Sequence, residues 1–413
     1  MLGEIMVKIT AEKLVYILGE EMARHSMQLV LDNWVAPYVD ISGWEYYSLS
    51  VADRANSDDK VLKDAISAGQ KIKAIFKEPT ITPTAEQMVE FGFAGKKLGS
   101  PNGKMRQAWN GFAISRDPIF VPGLEDQFGY KGTVICDRHA VGGEYQALYA
   151  NNVSKGKIKT IHVDEAGKET VLNDQPVDNG DNAVVTYIND YNNLPQLAAH
   201  FFQRCIDNDC KPYVVTKKTV FKWQEPFYDI IAKVFEKDWR GKLEAAKLVE
   251  KGAKLPHLLS DDAAMRSIRW KDGKFGMVAH NYDGDWLTDE QAQMFGSPGL
   301  IASVMTGVAD NGDAIKMFEA AHGTMADLWA QHKSGKETSV NPIGMVHGLA
   351  GAMVHAAKLA GREAEMKKFT TAMMNSLYET YAEGKGSRDF CGPNGLSTDA
   401  LIKYVGDKIK AKL

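Results

Sequence analysis

Leu14-Val15-Tyr16-Ile17-Leu18 is an unbroken apolar run closed by Gly19 and followed by helix-forming Glu20-Glu21-Met22-Ala23-Arg24. A run of that length bounded by a turn residue predicts a buried strand feeding a helix, the opening of an α/β unit. A second such unit is expected at Lys71–Phe76. The texture changes around residues 148–190. There Lys157–Val163 and Asn182–Ile188 alternate polar and apolar positions between turns rich in Asp, Gly and Asn. Alternation of that kind predicts antiparallel hairpins at a surface. Helical periodicity returns from Pro226 to Ala264, and Ile343–Ala360, rich in Ala, Gly, His and Met, reads as a buried helix. No fixed-period repeat and no long Pro/Ser linker marks a boundary, so the domains are expected to interleave along the chain.

Composition narrows the class. A length of 413 residues predicts two or three domains. With 44% apolar and 25% charged residues the chain is an ordinary globular one, neither disordered nor fibrous. Lys+Arg at 49 against Asp+Glu at 53 gives a net charge of −4, which removes the footprint of a general nucleic-acid binder but permits a local basic pocket. Four cysteines (Cys136, Cys205, Cys210, Cys391) are too few and scattered for a disulfide framework, pointing to a reducing compartment. Cys205 and Cys210, with no second pair nearby, read as buried thiols rather than metal ligands. No apolar stretch approaches a membrane span, and the N-terminus lacks a signal-peptide layout. The chain ends Ala411-Lys412-Leu413, one residue away from a Ser-Lys-Leu peroxisomal address, though a Lys-rich helix end needs no address.

Nucleotide-binding motifs mostly fail. No Gly-x-Gly-x-x-Gly follows a predicted strand, and Gly99-Ser-Pro-Asn-Gly103-Lys104-Met105 is one residue short of a P-loop, with Met105 where magnesium needs a hydroxyl. The acidic residues say more. Asp283-Gly284 is read as a turn, with helix from Thr288 onward. Asp285 and Asp289 are four apart, so on a helix both carboxylates share one face and suit a hard divalent cation. Asp261-Asp262 forms a second acidic pair. Acidic residues at a helix start also serve as caps or favour the dipole, so alone they decide nothing. On the basic side, Arg106, Arg116 and Arg138 lie in an otherwise apolar span. Arginines there need anionic partners, either a ligand's carboxylates or nearby acidic side chains. Ser100-Pro-Asn102-Gly, with short polar groups on a tight turn, fits a ligand bearing several carboxylates.

Nine landmarks then stand in order across nearly the whole chain: Gly19-Glu-Glu-Met, Thr80-Ile-Thr-Pro83, Ser100-Pro-Asn-Gly103, Arg138-His139-Ala140, Thr216-Lys217-Lys218-Thr219, Asn281-Tyr-Asp-Gly-Asp285, Gly296-Ser-Pro-Gly299, Ala321-His-Gly-Thr324 and Asn341-Pro342. On these the chain resembles the homodimeric, eukaryotic-type isocitrate dehydrogenases, within the metal-dependent decarboxylating dehydrogenases. The resemblance implies an α/β, isocitrate/isopropylmalate dehydrogenase-like fold. Its large α/β domain would comprise residues 1–109 and 296–413, its small α/β domain 110–142 and 191–295, and its β-rich dimerisation clasp 143–190. It also implies oxidative decarboxylation of isocitrate to 2-oxoglutarate and CO2 with a divalent metal, Mg2+ or Mn2+. Thr82, Ser100, Asn102, Arg106, Arg116 and Arg138 would grip isocitrate. Asp285 and Asp289 match metal ligands, with Asp261 reaching in from the partner subunit. Tyr145 and Lys217 match the acid–base pair, Lys217 also serving the neighbour's site. Lys77, Thr80, Thr82, Asn102, His322, Gly323, Thr324, Asp327, Leu328, Asn341 and Asp389 match the coenzyme's surroundings.

The coenzyme depends on one departure. After His322-Gly323-Thr324, NADP-linked relatives carry a basic pair for the ribose 2′-phosphate; here Asp327-Leu328 takes its place. A carboxylate repels that phosphate and accepts hydrogen bonds from the free ribose hydroxyls of NAD, the logic known for Rossmann enzymes. Gln87 stands where relatives carry Arg. Arg266 and Arg269 argue the other way, falling near where a neighbouring subunit approaches the phosphate. NAD is therefore expected, with NADP as the alternative. Lys218 replaces a typical Asn, and Trp286 is bulkier than usual.

Other readings are weaker. A non-catalytic regulatory subunit should have lost a base or ligand, yet Tyr145, Lys217, Asp261, Asp285 and Asp289 are all present. Ser100 and Asn102 argue against a sister enzyme for a hydrophobic substrate such as isopropylmalate. No nucleic-acid or membrane partner is expected. The protein is expected to be soluble and intracellular, in the mitochondrial matrix or cytoplasm, with the peroxisome left open by Ala-Lys-Leu.

Overall fold

Alternate residues of the first apolar run face opposite ways. Val15 and Ile17 join one buried cluster with Ile75, Ile114, Met305 and Met317, while Leu14 and Tyr16 join another with Phe76, Phe318 and Leu349. That alternation is the period of a strand covered on both faces. The computed structural model describes residues 8–124, 129–297 and 299–413, so Pro298 of the Gly296–Gly299 landmark lies outside the described residues. By its contacts the chain divides into two units, residues 1–141 with 191–413, and residues 142–190.

The first unit is built on a ten-stranded sheet. In chain order its strands are β1 (Val15–Leu18), β2 (Glu45–Ser48), β3 (Ala74–Lys77), β4 (Ala113–Ser115), β5 (Val134–His139), β6 (Lys211–Thr216), β7 (His257–Leu259), β8 (Phe275–Ala279), β9 (Ala302–Val308) and β10 (Ala314–Ala320). Their order across the sheet is β7-β6-β8-β5-β4-β9-β10-β3-β1-β2. Both flanks are parallel, and the three pairings from β5 to β10 are antiparallel. The helices used below are α1 (Glu21–Val30), α2 (Pro101–Ala108), α3 (Ser260–Arg269), α4 (Asn281–Met294), α5 (Ala326–Lys333) and α6 (Ile343–Leu359).

Helices cover both faces. On one side of β5, β6 and β8, Ile135, Val214 and Val278 pack with Phe201, Phe202 and Phe227, while Cys136, Val215 and Met277 join the cluster on the other. The expected buried helix is α6, and its small residues have a geometric cause. A Cβ on Gly344 would stand 2.8 Å from the Ile301 carbonyl oxygen, and one on Gly351 would stand 2.8 Å from the Phe318 ring. Cys205 and Cys210 are buried free thiols, and burial pushes the Cys210 thiol up to about 12.

The helical reading of Pro226–Ala264 needs one correction. Helical segments run from Glu225 to Ala245, but β7 then pairs in parallel with β6, Val214 opposite His257, before α3 begins. Three residues are too few to display a strand's alternation.

In the second unit, Leu148–Val153 pairs antiparallel with Asn182–Thr186, and Gly156–Val163 with Glu169–Val177. Leu148, Tyr149, Ile161, Val171, Leu172 and Val185 are exposed there. Among the described residues, no helix is long and apolar enough to cross a membrane.

Candidate active site

Helix α4 presents two carboxylates to one guanidinium. Arg116 Nη1 lies 2.5 Å from Asp285 Oδ1 and 3.7 Å from Asp289 Oδ1. Arg138 of β5 also pairs with Asp285 and donates to the Asn281 carbonyl at 3.1 Å. Both arginines are buried, whereas the Asp289 side chain is 64% exposed. The Asp283-Gly284 turn is overturned: α4 already begins at Asn281. Asp283 in the first turn suits the helix dipole. Gly284 is there because a Cβ would overlap the Arg138 side chain. Read without tertiary contacts, Asp-Gly signals a turn; here it signals close approach.

A second buried group gathers on β10. Glu319 accepts from Lys77 Nζ at 3.3 Å and Asn102 Nδ2 at 3.4 Å, and Arg106 Nη2 is 3.7 Å away. Burial alone would raise its carboxyl; the charges of Lys77, Arg106 and Arg116 outweigh it and hold the group below its ordinary value. Sequence reading missed Glu319. Its one signal was an acid in the otherwise apolar stretch Met317-Phe318-Glu319-Ala320. Lys77 is 1% exposed, and its ammonium pairs with Glu319 in this buried network. Ser100 caps α2, accepting from the Gly103 amide at 3.3 Å, which aims Asn102 and Arg106 inward from one short helix.

Lys217 and Asp261 form a third group, Nζ to Oδ1 at 2.5 Å. Lys217 follows β6, and Asp261 lies in the first turn of α3. The hydrogen bond from Lys217 holds the Asp261 carboxyl below the usual carboxylate range. Among the described residues no three His, Cys, Asp or Glu side chains converge as a metal site, so Asp261 does not join Asp285 and Asp289 within one chain. The unusual Lys218 places its ammonium 3.7 Å from the centre of the Tyr228 ring, a cation–π contact. Trp286 packs against the main apolar cluster.

The coenzyme candidates form a loop and a brace. The segment from His322 to Thr324 leads from β10 into α5 and is anchored on α1: Thr324 donates its hydroxyl to Glu21, and the Ala23 amide donates to the Thr324 carbonyl at 3.2 Å. This ties the Gly19-Glu-Glu-Met landmark to Ala321-His-Gly-Thr324. Asp327 is exposed in the first turn of α5, and Leu328 packs inward. Asp389 accepts from Ser297 Oγ at 2.5 Å and Asn341 Nδ2 at 3.2 Å. Thr80 is half-buried and Thr82 exposed, in the segment between β3 and the helix Ala85–Glu90. Gln87 completes a capping box with Thr84, and Arg266 is engaged by Asp262 at 2.8 Å. Tyr145 belongs to the second unit, in the 3-10 turn Gly143–Gln146, and is half exposed.

The donor chemistry fits the implied groups. Two carboxylates one helical turn apart are hard oxygen donors of the kind Mg2+ or Mn2+ takes. Arg116 Nε and Asn102 Oδ1 are buried without hydrogen-bond partners among the described residues, and each is open to a polar ligand. His322 Nε2 is likewise unsatisfied, in the loop that carries coenzyme candidates.

Comparison with known proteins gives the family. The family model for isocitrate/isopropylmalate dehydrogenase matches residues 15–405. A mitochondrial isocitrate dehydrogenase (NAD(+)) from Ostreococcus tauri is 49% identical over 409 residues, covering 98% of this chain and 86% of the relative. Mitochondrial isocitrate dehydrogenase [NAD(+)] 1 from Phaeodactylum tricornutum is 47% identical over 420 residues, covering 98% and 76%. The crystal structure of Ostreococcus tauri isocitrate dehydrogenase in complex with isocitrate and magnesium(II) superposes with a TM-score of 0.89 at 49% identity, covering 97% of this chain and 100% of that one.

Proposed function

The chain belongs to the isocitrate/isopropylmalate dehydrogenase family, and from that premise we propose that it oxidatively decarboxylates isocitrate to 2-oxoglutarate and CO2, passing a hydride to NAD. The observation that carries this is the convergence of Arg116 and Arg138 on the Asp285–Asp289 face of α4. It sets cations for carboxylates beside oxygen donors for a metal.

Residue roles follow from the chemistry. Arg106, Arg116 and Arg138 neutralise the substrate's carboxylates, while Thr82, Ser100 and Asn102 orient it through hydrogen bonds. Asp285 and Asp289 would hold Mg2+ or Mn2+, which when bound supplies a Lewis acid beside the substrate's hydroxyl. NAD supplies the hydride acceptor. It would be held by Lys77, Thr80, Thr82, Asn102, His322, Gly323, Thr324, Asp327, Leu328, Asn341 and Asp389. Lys217 takes the hydroxyl proton as C2 loses hydride. After CO2 leaves, Tyr145 protonates the carbon that carried it.

We also propose a homodimer in which Lys217 and Asp261 serve the partner's site. The support is that these two pair with each other, while no third ligand converges on Asp285 and Asp289 within one chain among the described residues. The division into large domain, small domain and clasp, at the boundaries given above, belongs to the same proposal. A mitochondrial location is proposed from the names of the two relatives, and neither of those names supports the peroxisomal alternative. Assaying the purified chain for isocitrate-dependent NADH formation with Mn2+ tests the function. Turnover is expected, and its absence with correctly folded protein would favour a regulatory subunit.

A further inference from the structure

The backbone around Lys217 is held from several sides. Its carbonyl accepts from the Val220 and Phe221 amides at 3.0 and 2.8 Å. The preceding Thr216 Oγ1 meets His257 Nε2 at 2.8 Å. A two-bond bridge carries this segment to α4. The Lys217 amide donates to Gln224 Oε1 at 2.5 Å, and Gln224 Nε2 donates to Asp283 Oδ2 at 3.0 Å. The partners fix the amide's orientation, since an N–H only donates and a carboxylate only accepts. Gln224 is buried, so the bridge works where water does not compete. Asp283 lies two residues before Asp285, in the first turn of α4.

We propose that Gln224 is a positioning residue: it ties the Lys217 backbone to the turn of α4 that leads into Asp285, and so sets where the lysine's side-chain amine is delivered. The inference rests on the reading of Lys217 as proton acceptor. Nothing else among the described hydrogen bonds links the Lys217 backbone to α4. A fixed amide limits the lysine's remaining freedom to its side-chain torsions, which serves a proton transfer that tolerates little misplacement.

The test exchanges the polarity of the bridge. Gln224→Ala removes both bonds and is expected to lower kcat about tenfold, with KM for isocitrate and NAD changed by less than about twofold. Gln224→Glu still accepts from Lys217 but faces Asp283 with like charge, and should be similarly slow. Combining Gln224→Glu with Asp283→Asn restores a donor opposite an acceptor, and kcat should recover to within about threefold of the parent. Thermal midpoints of all variants establish folding. If Gln224→Ala does not fold, the charge-exchanged pair decides. Parental kcat in folded Gln224→Ala, or no recovery in the double variant over Gln224→Glu, overturns the inference. Lys217→Met separates the two levels. If it retains activity, the reading beneath fails; if it is inactive while the Gln224 variants are normal, only the positioning role fails.

Discussion

Gly284 lies directly against Arg138: a Cβ on the glycine would overlap the arginine's own Cβ. Helix α4 therefore comes this close to Arg138 because a side chain is missing, and that approach delivers Asp285 to Arg116 and Arg138. Gly284→Ala should destabilise the fold by about 1–3 kcal/mol through overpacking, despite the better helix propensity of alanine. It should also raise KM for isocitrate, because Asp285 moves with the helix. Urea unfolding together with substrate titration checks both. Unaltered stability and KM would show that α4 relaxes freely.

Asp285 carries charge for two buried guanidinium groups and, in the proposed function, a donor oxygen for the metal. Chelation should abolish turnover, and added Mn2+ should restore it. Asp285→Asn should raise the Mg2+ concentration for half-maximal activity by at least about tenfold, since even indirect supports of a metal site cost that much. A metal titration of initial rates measures this. An unchanged midpoint would remove Asp285 from the ligand set.

Glu78 links stability to pH. Its carboxylate oxygens accept from Tyr16 Oη and the Gly19 amide, both at 2.7 Å, yet burial pushes the group up to about 7 from an ordinary 4.5. A carboxyl raised in the folded state binds its proton more tightly there than in the unfolded chain. Its contribution is complete below pH 4.5 and is lost as pH rises through about 7. Across that window the slope should approach about 1.4 kcal/mol per pH unit. Unfolding free energies of the parent and Glu78→Gln, compared at about pH 5, 6, 7 and 8, should diverge with this sign. A difference independent of pH would contradict it.

Asp327 is exposed at the start of α5, where a ribose 2′-phosphate would meet both its charge and no compensating cation on Leu328. Asp327→Arg combined with Leu328→His should shift the kcat/KM ratio toward NADP by about tenfold or more, the scale of one new charge-assisted hydrogen bond together with the removal of one repulsion. Unaltered selectivity would refute the role assigned to this turn.

What the chain's pattern revealed and what it hid follow from the range of the interactions. Strand β1 and helix α6 were legible because each carries its own period or length of apolar residues. Asp285 and Asp289 were legible as a pair because helical geometry alone puts them on one face. Glu319 was not, since Lys77 and Asn102 lie more than two hundred positions away and only the sheet order brings them together. Gly284 was misread for the same reason: its partner, Arg138, lies on strand β5, far away in the chain. Gln224 had no signal at all, because a buried amide between two polar partners looks like any surface glutamine. The arginines were half legible. Their need for anions was clear from an apolar context, but not that Asp285 would meet two of them.

Coenzyme choice is where these residues commit themselves most sharply, because the role proposed for the exposed carboxylate of Asp327 turns on it. Steady-state kcat/KM for NAD and for NADP should be measured on the same preparation with isocitrate and Mn2+. A clear preference for NAD is expected. A higher kcat/KM with NADP would contradict the role given to Asp327 and the NAD assignment with it.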